Sequence, residues 1–204
     1  MRYIVLQYQG LYGKDKANYL RYDTLMDAID HIPDLKIRKS KDNDIAMLFK
    51  ILYHCALRPG EAIRINKEDI DLANREIYLG KTKTNKEDYV VIPGEFVQEL
   101  HEYLQTKATG RLFPGLKYKT FWTWLCKLGE ICDIPAWTIP EKKSGEKTKG
   151  HIFRKTMGKD MMAGEYGAAA KDITVISKHM RHSNIATTMN SYLKAQTETV
   201  KEAF

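Results

Sequence analysis

Four short stretches of the chain combine residue types that can act together on an anionic group. Ala56-Leu57-Arg58-Pro59-Gly60-Glu61 places an arginine where one helical pattern ends and another begins. Lys81, Lys83 and Lys86 crowd a polar stretch between two strand-like runs. His151-Ile152-Phe153-Arg154 sets a histidine and an arginine three positions apart, and His182-Ser183 is followed by Thr188 and then Tyr192. A guanidinium stays protonated and offers a planar fork to two oxygens of an anion. Imidazole titrates near neutral pH and can move protons. A tyrosine hydroxyl can serve as a nucleophile. Each residue also has a plainer reading. Tyr192 is one of 12 tyrosines and fits a half-buried packing position. Arg58 and Arg154 fit surface salt bridges, and Glu61 fits a brace for the Arg58 turn or a nearby backbone N–H. His179 and His182 could share a metal, but no further Cys/His set with ligand spacing accompanies them. His31, His54 and His101 read as packing or surface residues, and Cys126 and Cys132 as core thiols.

The elements that must position these residues are mostly helical. Asp23 can cap a helix running to about Ile32, which Pro33 stops. Ile45, Leu48, Phe49, Leu52, Cys55 and Ala56 recur at helical spacing. Pro59 fits the first turn of the next helix, where its missing N–H would be unbonded anyway. Residues 76–80 and 88–92 read as two strands, and the lysine-rich stretch between them as the tip of a β-hairpin. A helix follows with Val97, Leu100 and Leu104 on one face. Another covers Tyr118 to Cys132, with Phe121, Trp124, Leu125 and Leu128 inward. Residues 135–149 read as a long basic loop. Short helices are expected at about 152–164, 171–180 and 185–192, with a helical tail to Phe204. Tyr3, Val5 and Gln7 alternate weakly, as in a strand. The fold class is therefore mainly α with a small antiparallel sheet.

Composition narrows the function classes. The 204 residues are 43% hydrophobic and 10% aromatic, which allows a sizeable core and argues against pervasive disorder. No run approaches the ~18 apolar residues of a membrane span. The N-terminus lacks the apolar stretch and cleavage site of a signal peptide. Three unpatterned cysteines favour reduced thiols in a cytosol. The 33 Lys and Arg outnumber the 26 Asp and Glu, giving a net charge of +7. That excess points to an anionic partner, most often nucleic acid. It is also clustered, since residues 141–160 hold seven Lys/Arg against three acids.

Taken in order, the four stretches resemble the catalytic domain of the tyrosine recombinases, the phage integrase family. That family carries Ala/Gly-Leu-Arg-x-x-Glu, a hairpin lysine, His-x-x-Arg, Leu-Gly-His-Ser and a tyrosine about ten residues later. The resemblance runs from about Asp23 to Leu193. It implies a tyrosine recombinase catalytic-domain fold over residues 23–204, with 1–22 as a short extension. It implies that Tyr192 is the nucleophile, that Arg58 and Arg154 clamp the phosphate, and that His151 is the general acid/base serving the tyrosine. His182 would hydrogen-bond a phosphate oxygen. Lys83 would protonate the leaving 5′ oxygen, chosen over Lys81 and Lys86 because Lys83-Thr84-Asn85 best matches the family's turn. The implied activity is site-specific DNA recombination through a 3′-phosphotyrosyl intermediate, with no cofactor and no metal. The implied partners are double-stranded DNA, further copies of the chain forming a tetramer on paired sites, and an accessory DNA-bending or core-binding protein. Leu193, Val200 and Phe204 could supply the apolar face that packs on a neighbouring protomer. The expected location is cytoplasmic, associated with the nucleoid or in the host cell of a virus or mobile element.

Such chemistry has a physical logic. Attack by a tyrosine hydroxyl keeps the bond energy in the phosphotyrosyl link, so rejoining needs no ATP. Two guanidiniums stabilise the charge of the pentavalent phosphate, and losing one such stabiliser costs about 10²–10³ in rate. Two departures from the family stand out. Arg181 replaces the usual glycine before the second histidine, where a side chain could crowd the turn or add a phosphate contact. Only about 22 residues precede the first expected helix, whereas family members commonly add an N-terminal domain of roughly 70–100 residues that closes around DNA. The chain is then either a fragment or a minimal recombinase, as the fimbrial invertases are. Two competing readings share the same residues: a type IB topoisomerase-like enzyme that relaxes one duplex, and a DNA-binding regulator on an inactive recombinase fold.

Overall fold

The computed structural model describes residues 20–36, 41–81, 87–134, 137, 149–167 and 169–189. Helix α1 (Tyr22–Asp30) opens with Asp23 inside its first turn, and Arg21 occupies the N-cap position expected for Asp23. An aspartate in the first turn still opposes the helix dipole favourably. Pro33 lies in a 3₁₀ turn, Ile32–Leu35, that closes this element. Helix α2 (Asp42–His54) is the central strut, and nine of its residues are buried, Ile45, Leu48, Phe49 and Leu52 among them. A single turn, α3 (Pro59–Ala62), follows with Pro59 at its first position.

The sheet has three antiparallel strands in the order β1 (Ile70–Asp71), β2 (Glu76–Lys81) and β3 (Glu87–Val91). The hairpin strands match the two expected runs, while the two-residue β1 is too short to leave a periodic signal. Ile77 pairs with Val90 and Tyr78 with Tyr89, and the register shifts between Tyr78 and Lys81. Gly80 sits at that shift with φ +91°, a conformation that glycine adopts without strain. The lysine-rich tip, 82–86, lies outside the described residues. Asp88 is two residues from buried Val90 and so shares its inward face.

Helices α4 (Gly94–Gln105) and α5 (Tyr118–Ile131) pack against this frame. Phe121, Leu125 and Leu128 are buried as expected, whereas Trp124 is only partly covered. Most of the expected basic loop, the strand-like Tyr3 to Gln7 stretch, and the tail beyond 190 lie outside the described residues. Trp137 is an exception and is fully buried. A 3₁₀ turn, Lys149–His151, leads into α6 (Ile152–Ala163), and α7 (Ile173–His179) follows, N-capped by Asp172. A helical turn covers 185–189. Phe49 of α2 meets Phe121, Trp137 and Phe153 with ring centroids 5.9, 6.3 and 5.1 Å away. This aromatic cluster anchors α6 through Phe153, which lies between His151 and Arg154 in the chain. No helix among the described residues is long and apolar enough to cross a membrane.

Candidate active site

The site grows from three turns that the core brings together. The first follows α2, where Ala56 adopts φ +47° and redirects the chain toward Arg58. Arg58 precedes α3, and its backbone N–H donates to Glu61 Oε2 at 2.8 Å. Its Nη1 donates to Glu61 Oε1 at 2.7 Å. Glu61 is thus the brace the sequence suggests, and it leaves the Arg58 side chain 46% exposed at the surface. The second turn carries His151. It lies against the first through Gly150, where an added Cβ would come within 2.5 Å of Pro59 Cγ. Only glycine permits that approach, so the His151 turn and the Arg58 turn touch. The third turn carries His182, just beyond α7.

Arg154 joins these turns from inside. It is 2% exposed. Its Nη1 donates to the carbonyl of Ala56 and its Nη2 to the carbonyl of Met180. One guanidinium therefore ties the turn before Arg58 to the turn before His182. His182 Nδ1 pairs with Thr188 Oγ1 at 2.7 Å, and Thr188 is fully buried. His179 is used structurally, its Nε2 donating to the carbonyl of His54 at 3.0 Å. Among the described residues, no group of three or more His, Cys, Asp or Glu is placed to hold a metal ion.

The charges of this cluster act on its histidines. Burial lowers the pKa of His151, and the Arg154, Arg58 and Lys155 charges lower it further. Burial likewise lowers that of His182, together with Arg154 and Arg58. Both imidazoles are therefore neutral at neutral pH. Burial works to raise the Glu61 pKa. The Arg181 charge, with the Arg58 N–H and guanidinium, outweighs it and holds the carboxylate below its usual range.

Arg181 neither crowds its turn nor faces outward. Its backbone is left-handed, φ +50°, which accounts for glycine being usual there in the resembled family. Its side chain turns inward, with Nη2 donating to Glu61 Oε2 at 2.7 Å and Nη1 to Asp88 Oδ2 at 2.5 Å. Asp88 carried no sequence signal, because it reads as one polar residue in a strand. Of the expected site residues, Arg58, His151, Arg154 and His182 converge here. Lys83 and Tyr192 lie outside the described residues.

Residues 19–199 match the model of the phage integrase family. The chain belongs to that family. Among curated tyrosine recombinases it is 28% identical to XerA of Saccharolobus solfataricus over 184 residues, covering 82% of this chain and 56% of the relative. It is 26% identical to XerA of Thermococcus onnurineus, covering 77% and 53%. The chain thus spans about half the length of the curated relatives it matches. Its fold resembles the catalytic domain of bacteriophage HP1 integrase, with a TM-score of 0.58, 21% identity and 85% of each chain covered. It also resembles the XerH site-specific recombinase bound to its palindromic difH substrate, with a TM-score of 0.63, 14% identity, and 94% and 55% covered. The mainly helical fold with a three-stranded antiparallel sheet is that of phage integrase family catalytic domains.

Proposed function

We propose that this phage integrase family chain cleaves and rejoins DNA as a site-specific recombinase. The convergence of Arg58, His151, Arg154 and His182 around three interlocked turns carries the reading. A phosphodiester entering the cluster meets the exposed Arg58 guanidinium, with the buried Arg154 charge behind it. Both favour the extra negative charge of a pentavalent phosphate. Thr188 Oγ1 and His182 Nδ1 share a hydrogen bond, and with the hydroxyl as its donor Nε2–H is left to donate to a phosphate oxygen.

In this reading Tyr192 Oη attacks phosphorus, and its proton passes to neutral His151. The P–O5′ bond breaks as the 3′-phosphotyrosyl bond forms. The 5′ oxygen takes a proton from Lys83, and rejoining runs these steps backward with a new 5′ hydroxyl. Double-stranded DNA is the substrate, as difH is for XerH, and a tetramer on paired sites carries out exchange. An accessory DNA-bending or core-binding protein strengthens the grip on DNA. The protein works where that DNA lies, in a cell's nucleoid or with the DNA of a mobile element.

The reading is tested by supplying two duplexes that carry the DNA flanking the protein's own gene and following joint products. Recombinant strands from both duplexes are expected. Relaxation of a single supercoiled duplex without exchange would instead mark a topoisomerase-like activity. Binding without either reaction would mark a regulator.

A further inference from the structure

We propose that Arg181 is a positioning residue that fixes the β-hairpin to the turn presenting Arg58. The inference rests on the recombinase reading for its catalytic consequence and on geometry for the rest. The Arg181 guanidinium bridges Asp88 on β3, at 2.5 Å, and Glu61 in α3, at 2.7 Å. Glu61 in turn holds both the backbone N–H and the guanidinium of Arg58. One continuous chain of charge-assisted hydrogen bonds therefore runs from β3 to the arginine at the site surface. Residues 82–86, which include Lys83, connect directly to β3.

Three features show that Arg181 is built for this task. Its side chain is only 12% exposed, although it is a cation. A lysine could reach one carboxylate or the other, whereas a planar fork spans both. The backbone also accepts a left-handed conformation that disfavours any side chain with a Cβ. Arg181 further offsets two carboxylates that would otherwise repel an incoming phosphate. Glycine at this position would satisfy the backbone and break the bridge. The side chain is retained at a conformational cost that the hairpin contact explains.

The test uses the full 204-residue chain as wild type, Arg181→Gly, Arg181→Lys, Asp88→Asn and the Arg181→Gly/Asp88→Asn pair. Arg181→Gly suits the backbone, and circular dichroism checks that it keeps the fold. Two quantities are read: amide hydrogen exchange of residues 87–91 without DNA, and single-turnover cleavage of nicked duplexes from the gene's flanks at saturating DNA. Arg181→Gly should speed amide exchange in β3 at least tenfold and slow cleavage at least tenfold, with DNA affinity within threefold of wild type. Arg181→Lys should fall between, and the double variant should be no slower than Arg181→Gly, because both substitutions cut one link. Unchanged exchange in β3 would overturn the inference. So would an unchanged saturated rate, or effects that multiply in the double variant. If the wild type forms no covalent adduct even with a core-binding protein added, the recombinase reading fails on its own, and amide exchange still decides whether Arg181 holds the hairpin.

Discussion

Arg181 and Glu61, 120 positions apart in sequence, meet at 2.7 Å with 12% and 17% of their side chains exposed. The same carboxylate accepts from the Arg58 backbone and guanidinium. Glu61 is thus shared by two cations and an N–H, and all three lose their partner together. Glu61→Ala should lower unfolding free energy by about 3 kcal/mol in urea titrations, because a mostly buried cation loses one of its counter-charges. Glu61→Gln keeps an acceptor for the Arg58 N–H and should lose less. Equal losses for the two would contradict a contribution from the acceptor that holds the Arg58 N–H.

Thr188 fixes His182 through a bond of 2.7 Å from within the core. Thr188→Val keeps the shape and removes the hydroxyl. Cleavage should slow by roughly tenfold, as expected where a donor is no longer aimed at the developing charge. The melting temperature should shift only a few degrees, since one neutral hydrogen bond contributes about 1 kcal/mol. A wild-type cleavage rate would show that His182 needs no such support.

Gly150 lets the His151 turn rest on Pro59, and an added Cβ would come within 2.5 Å of the proline ring. Gly150→Ala should push the two turns apart and cost about 1–3 kcal/mol of stability. Because His151 and Arg58 then separate, cleavage should fall more steeply than DNA affinity. Parallel rate and binding measurements check this, and a matched fall in both would argue against it.

Stability should decline in mild acid. Burial lowers the His54 pKa to about 3, with the charges of Lys50 and His179 adding to the effect. The pKa values of His151, His179 and His182 are also lowered. Groups lowered on folding stabilise the protein above their unfolded value and lose that contribution as pH falls. Asp160 works in the opposite sense. Burial raises its pKa to about 6, so its contribution is full at low pH and is lost as pH rises through that value. The four lowered histidines outweigh Asp160 and the exposed His31, whose pKa is raised by its hydrogen bond to Asp34, so unfolding free energy should drop by about 1 kcal/mol between pH 7.5 and 5.5. His54→Gln should remove about 1 kcal/mol of that dependence. A profile that is flat, or that rises toward acid, would contradict the assignment.

Much of the frame was legible because apolar periodicity is strong where burial is strong. The α2 pattern, the hairpin strands and Phe121, Leu125 and Leu128 of α5 all lie where the spacing puts them. The grouping of Arg58, His151, Arg154 and His182 was legible as motifs, since their types and order match those of the phage integrase family. The interior wiring was not. Nothing in the local sequence says that Arg154 reaches the carbonyls of Ala56 and Met180, because main-chain acceptors leave no residue signature. Asp88 was silent for a related reason, as a polar residue in a strand reads as solvent-facing until its partner is known. Arg181 was visible as a departure from glycine, but its inward turn depends on two carboxylates brought from distant elements. Asp23 lies two residues beyond the N-cap expected for it, because an acidic residue suits both the N-cap and the first turn.

The central claim is tested most directly by covalent trapping. Wild type and Tyr192→Phe are incubated with nicked duplexes from the gene's flanks in the presence of EDTA, then separated on denaturing gels. A protein–DNA adduct that forms with wild type, survives EDTA and vanishes with Tyr192→Phe is the predicted result. An adduct that persists in Tyr192→Phe, or that requires a divalent metal, would contradict the account.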